Sequence, residues 1–304
     1  MKLRRVLLVL CPFFVWNNVF AQPEFEVNEP RPYTTGMEIA RKYGAKVAHG
    51  YFNDCHEQTS NDMCFYGVAY TWYMMGEHDK SIEMVKYMLA NTTLPDNIAG
   101  HCWALMGGNL IYLRKFEQAQ EPLLKALEFY KKANQPVNQF RVLVQLGNGK
   151  LRSGKLEAAD AYFERAVLVG ISEEMSREYL YSLRAISAYT RGNVEMAISY
   201  AELSYAEYER IKNYRGMIDA KSYIGFYLYE LGREEEAKTF LQQANQMTED
   251  YQTGPVTWTV LVNAYINKCE EPENTRKLID AKLKGEKGTF LLRFKHLIES
   301  KECP

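Results

Sequence analysis

After residue 21 the 304-residue chain has no apolar run long enough to cross a bilayer, whose ~30 Å hydrocarbon core needs about 20 such residues. Strict apolar–polar alternation, the mark of a half-buried strand, is scarce. There is no glycine-rich phosphate loop, no nucleophile elbow and no His-Glu-x-x-His segment, so the sequence offers none of these catalytic frameworks. Basic residues are not in surplus: 37 Lys and Arg stand against 38 Asp and Glu, a net charge of −1. General nucleic-acid or anionic-membrane binding would need a basic surface. Cysteines spaced Cys-x-x-Cys are also missing, and the adjacent pairs Cys55–His56 and His101–Cys102 are poor zinc ligand sets. Neither a cofactor nor a metal is expected.

What is present begins with a leader. "MKLRR" is basic, "VLLVLCPFFVW" apolar, and "NNVFA" ends in small residues, which is the order of a secretory signal peptide. Residues 1–21 are expected to be cut after Ala21, which moves the net charge to −4 and exports the chain to the periplasm or the extracellular space. Lipidation at Cys11 is disfavoured by the bulk of Leu10. Residues 22–33 hold three prolines and read as an extended leader. Residues 34–60 read as an N-terminal capping helix and loop, and 61–304 as a repeat array closed by a C-terminal capping helix.

The array shows in its small residues. Most segments carry apolar residues at i, i+3, i+4 and i+7, so the chain is all-α. Gly76, Gly154, Gly192 and Gly232 each end one such segment shortly before the next begins, as glycines closing a helix do. Ala119, Ala159, Ala197 and Ala237 fall early in the second segment of each pair. Leu123, Phe163, Ala201 and Leu241 follow four residues on, and Gly107, Gly147, Ala185 and Gly225 lie twelve before the alanines. Small side chains let helix axes approach, and the large residue between them fills the space. Pro122 falls inside a predicted helix and is expected to kink it.

"WALMGGNLIYLRKFEQAQEPLLKAL" and "LVQLGNGKLRSGKLEAADAYFERAV" resemble tetratricopeptide repeats. Units begin near Asp62, Gly100, Phe140, Glu178, Ile218 and Pro255, in steps of 37 to 40 residues. The spacing resembles the roughly forty-residue variety found in bacterial regulators and scaffold proteins. The resemblance implies a right-handed superhelix of antiparallel helix pairs, about six repeats with a capping helix at each end. It also implies that positions 2, 5, 9, 12 and 13 of each unit face a concave groove. Carried over, these positions include Tyr66, Tyr70, Tyr73, Tyr112, Arg141, Asn148 and Arg152, then Tyr179, Tyr189, Phe226, Tyr229 and Asn263.

A groove rich in tyrosine and poor in charge suits peptide or loop recognition, although packing between units would also use these rings. The lysine and asparagine of a chaperone-tail clamp are not in place, since Val144 precedes Asn148. The reading is an exported, non-catalytic scaffold or sensory module that binds a protein or peptide, with no nucleic acid and no membrane insertion. A receptor for glycan or peptide fragments using the same groove is the alternative.

Export permits disulfides. Cys269 ends the first helix of the last unit, and Cys303 falls at the equivalent end of the terminal helix, so these two could staple the C-terminal cap. Cys55–Cys64 could pin the N-terminal connection. Cys64 and Cys102 share a position in adjacent units and are the competing pair; otherwise Cys102 is free.

Overall fold

The computed structural model describes residues 32–169, 177–254, 257–267, 273 and 277. The proposed signal peptide, most of the extended leader and the Cys269–Cys303 pair lie outside the described residues. The chain divides into two compact units, one within 16–175 and another that takes in 176–304.

The first unit contains α1 (Pro32–Tyr43), α2 (Ala45–Thr59), α3 (Asp62–Met74), α4 (His78–Asn91), α5 (Asp96–Tyr112), α6 (Phe116–Lys132), α7 (Pro136–Arg152) and α8 (Leu156–Val169). The second contains α9 (Glu178–Thr190), α10 (Val194–Arg210), α11 (Tyr214–Glu230), α12 (Glu234–Asp250) and α13 (Thr257–Asn267). Within each unit the helices pack chiefly on their neighbours in sequence, except α13, which packs mainly on α11. First helices of successive pairs also meet, as α1 with α3, α3 with α5, and α5 with α7. No described helix is long and apolar enough to cross a membrane.

The turn at Gly154 shows how a pair is made. Gly154 sits at φ +79°, a left-handed conformation that glycine takes without steric cost. Its N–H donates to the Leu151 carbonyl, and the Lys155 N–H reaches back to that of Lys150. This is the Schellman closure of a helix C-terminus. The same two bonds recur after α5, where Arg114 takes the left-handed position at φ 61°, and after α6 at Asn134.

Within a pair the small residues do what their spacing implied. A Cβ on Gly107 would collide with Leu123, one on Gly147 with Phe163, and one on Gly225 would press on Leu241. Gly100 meets Tyr130 while Gly107 meets Leu123, so α5 and α6 run antiparallel. Ala119, Ala159, Ala197 and Ala237 are all buried. Pro122 is buried inside α6, which continues unbroken through it.

The N-terminal segment differs from the expectation of one capping helix and a loop. It forms two helices joined through the single residue Gly44, at φ +92°, and the first starts at Pro32, inside the presumed leader. Gly36 and Phe52 repeat the small–large packing, with Ala48 twelve residues after Gly36. The α1–α2 pair is therefore another copy of the repeat.

Candidate functional site

Alternating helices of the first unit bring an aromatic seam together. Tyr33 on α1 lies 5.8 Å, ring to ring, from Tyr66 on α3. Tyr66, Tyr70 and Tyr73 follow one another along α3 at 6.1 and 5.8 Å. Tyr73 meets Tyr112 of α5 edge-on at 5.4 Å, and Tyr112 stacks on His78 at 4.6 Å. Toward the other end, Tyr66 meets His101 at 5.7 Å. His101 Nδ1 lies 2.7 Å from the hydroxyl of Tyr130 on α6.

These rings pack deeply. Tyr66, Tyr70 and Tyr73 are buried, and Tyr112 is half-buried. Burial holds the phenols of Tyr66, Tyr70 and Tyr130 well above the usual range. Burial first, and then the charge of Arg141, takes His101 down to about 3, so its ring is neutral at physiological pH. Cys102, buried next to it, is a free thiol pushed up to about 12 by burial and the nearby charge of Asp62.

One face of α7 closes the seam with polar groups. Asn138, Arg141, Gln145, Asn148 and Arg152 recur at intervals of three and four, which places them in line along a helix. Arg141 is half-buried and donates to Asn138 Oδ1 at 3.3 Å. Arg152 is half-buried too, its guanidinium 4.9 Å from the Phe116 ring centre. Asn148 is buried. Between this face and the aromatics lies a cavity of about 30 Å³, lined by Tyr33, Tyr66, Tyr70, His101, Tyr130, Asn138, Arg141 and Gln145, with Ala104 and Val142. No carboxylate is among these lining groups.

The second unit holds the remaining groove candidates. Tyr179, Tyr189 and Phe226 are buried, and Tyr229 and Asn263 are half-buried. Tyr189 donates to Glu230 Oε2 at 2.7 Å, and Tyr265 donates to Oε1 of the same carboxylate at 3.2 Å. Asp219 is buried, and neither of its oxygens meets a donor among the described residues. Burial, opposed by the charge of Arg215, pushes its carboxyl up to about 7.

Cys55 and Cys64 are joined in a disulfide, Cα to Cα 5.8 Å, which ties α2 to α3. His56 stacks on Phe65 at 4.1 Å. Among the described residues no cluster of three or more His, Cys, Asp or Glu is placed to hold a metal ion.

The groove positions alone did not reveal Tyr33, Tyr130 or Gln145. Tyr33 had a usable signal. Extending the repeat register back by one unit from Gly36 puts it at the fifth position, the one that Tyr66 occupies in the next unit.

No family model matches this chain, and no curated protein matches it. Solved structures do share its fold. A Rap protein complexed with competence and sporulation factor is 13% identical, with 90% of this chain and 80% of that one covered at a TM-score of 0.67. Aspartyl phosphate phosphatase F from Bacillus subtilis is 18% identical, covering 90% of this chain and 71% of that one at 0.61. The Rap conjugation gene regulator of plasmid pLS20, in complex with the Phr* peptide, is 14% identical, covering 81% and 76% at 0.62. At these identities the likeness is one of fold, an all-α TPR-like helical repeat.

Proposed function

We propose that the protein is an exported peptide- or protein-binding module with no catalytic role of its own. The observation that carries this reading is the aromatic seam along α1, α3 and α5, which ends against the polar face of α7. The seam's own rings are buried, and the edge it leaves accessible, with half-buried Tyr112, Arg141 and Arg152, sets aromatic area beside polar groups, which suits an extended chain. Two structures with this fold hold a factor or a peptide, namely competence and sporulation factor and Phr*. One bears the name of a phosphatase, but the cavity here is lined by no carboxylate and no cysteine to act as nucleophile.

The cavity itself is small: about 30 Å³ is room for about two waters, so it would take one small group of a ligand, whether sugar or peptide. Export is supported by the signal-like leader and by the Cys55–Cys64 disulfide, a bond characteristic of oxidising compartments.

Affinity recovery from the native exported fraction tests the reading, comparing the chain from Gln22 onward with an Arg141→Ala variant of unchanged circular dichroism. A peptide or protein held by the parent and lost by the variant is the expected result. Nothing held by either, together with a melting temperature raised by sugars or other small ligands, would transfer the function to the small-ligand class. N-terminal sequencing of the native protein is expected to begin at Gln22, and retention of Met1 would remove the export reading.

A further inference from the structure

The chain enters its first helix at the cavity. Tyr33, the second residue of α1, lines that cavity together with Arg141 of α7. Residues 22–31, "QPEFEVNEPR", therefore join the fold next to it. An extended chain advances about 3.3 Å per residue, so this segment can reach about 33 Å from its attachment.

Segment and seam are opposite in charge. The segment carries Glu24, Glu26 and Glu29 against the single cation Arg31. Burial raises the phenols of Tyr33, Tyr70, Tyr112 and Tyr130, and the charges that oppose it belong to Arg41, Arg141 and Arg152. No carboxylate lines the cavity. The surroundings of the seam are thus basic in a chain with more acids than bases, and such a surface draws an anionic peptide.

The spacing agrees as well. Arg141 and Arg152 stand about 16 Å apart along α7, at about 1.5 Å per residue. Glu29 and Glu24 stand about 15 Å apart in a polyproline-type chain, at about 3.1 Å per residue. Pro23 and Pro30 bracket them, and proline fixes φ at the value such a chain uses. Phe25 adjoins Glu24, and the half-buried rings of Tyr112 and Phe116 adjoin Arg152.

We propose that residues 22–31 occupy the accessible edge of the seam in their own chain, Glu29 paired with Arg141 and Glu24 with Arg152, and that a partner peptide binds by displacing them. This rests on the peptide-binding reading above and adds to it that the partner is an acidic, extended peptide. Tethering presents the segment at an effective concentration of about a millimolar, so contacts too weak to hold a free peptide keep the edge covered.

The test measures binding of a fluorescein-labelled peptide of residues 22–31 by fluorescence polarisation. The chain from Gln22 onward is compared with a leader variant of the same length that combines Glu24→Lys, Phe25→Ala and Glu29→Lys, both checked by circular dichroism. The leader variant is expected to bind the peptide at least about tenfold more tightly than the parent, whose own segment competes. Adding Arg141→Ala to the leader variant is expected to remove the binding. A peptide carrying Glu24→Lys is expected to bind the leader variant weakly and to recover when Arg152→Glu is added. Equal binding by parent and leader variant, or binding that survives Arg141→Ala, overturns the proposal. So does a leader variant that binds no peptide. The peptide-binding reading is decided separately, by the affinity recovery described above. A partner recovered by the leader variant while the labelled peptide fails leaves that reading standing, and recovery of nothing by parent or variant removes both. If an arginine variant misfolds, the comparison of parent with leader variant decides alone.

Discussion

Phe52 of α2 fills the places where Gly36 of α1 and Gly67 of α3 would otherwise carry side chains, and a Cβ on either would overlap its ring. One buried phenylalanine thus holds three helices at close approach. Gly36→Ala and Gly67→Ala are each expected to lower stability by about 1–3 kcal/mol through overpacking. Gly50, exposed on α2 with open space around it, is the contrast. Gly50→Ala is expected to stabilise by up to about 1 kcal/mol. Urea midpoints of the three variants check this, and equal shifts in all three would break the packing argument.

The same reasoning extends to the repeat alanines. Ala159 and Ala237 are fully buried against neighbouring helices. Ala159→Leu and Ala237→Leu are each expected to cost about 1–3 kcal/mol, one in each unit. Unchanged urea midpoints in both would mean that the repeat register is wrong.

How far the sequence disclosed this fold depends on what each residue's pattern encodes. Gly107, Gly147 and Gly225 recur at one spacing because an inter-helix gap admits nothing larger, so their positions could be read directly. The α1–α2 pair escaped because its helices are joined through Gly44 alone, without the three-residue turn that marks pairs such as α7–α8. The face on which Tyr66, Tyr70 and Tyr73 lie was legible from their helical spacing. Their burial was not, since it depends on how closely α1 and α5 approach α3. Gln145 was hidden for a similar reason: its neighbours are apolar and only the folded chain shows that it lines the cavity. The sequence positions of Cys269 and Cys303 suggest a staple, but they lie outside the described residues.

Two buried titrating groups should make the units respond oppositely to acid. Asp219 has its folded value raised from 3.8 to about 7, so its contribution is greatest below about pH 4 and is lost as pH rises toward 7. His101 has its folded value lowered from 6.5 to about 3, so its contribution is full above pH 6.5 and is lost as pH falls toward 3. Moving from pH 7.5 to 5 should weaken amide protection in α5 and strengthen it in α11, read by hydrogen exchange corrected for intrinsic rates. Asp219→Asn should stabilise α11 at pH 7.5 by about 1–3 kcal/mol and change little at pH 4. No difference between the variant and its parent at pH 7.5 would mean that the carboxylate finds a partner in solution.

Cys102 should be chemically silent. It is fully buried, and its thiol is pushed up to about 12, whereas the thiolate is the reactive form. Iodoacetamide at pH 8 is expected to leave the Cys102 peptide unmodified in the folded protein and to label it fully in urea. Non-reducing peptide mapping of the same sample should return Cys55 and Cys64 as one linked peptide. Rapid native labelling of Cys102 would show that the interior beside His101 opens far more often than its packing implies.

Glu230 stands at the C-terminal end of α11 and accepts hydrogen bonds from Tyr189 near the end of α9 and from Tyr265 near the end of α13. Three successive first helices are thus gathered at one end, like the ribs of a fan at its rivet. Spreading these helices at that end would break a bond to a carboxylate, which is stronger than one between neutral partners. Spreading them at their N-terminal ends breaks neither of the two. Spreading at the rivet is therefore restrained, and removing the one carboxylate would release α9 and α13 from α11 there at once.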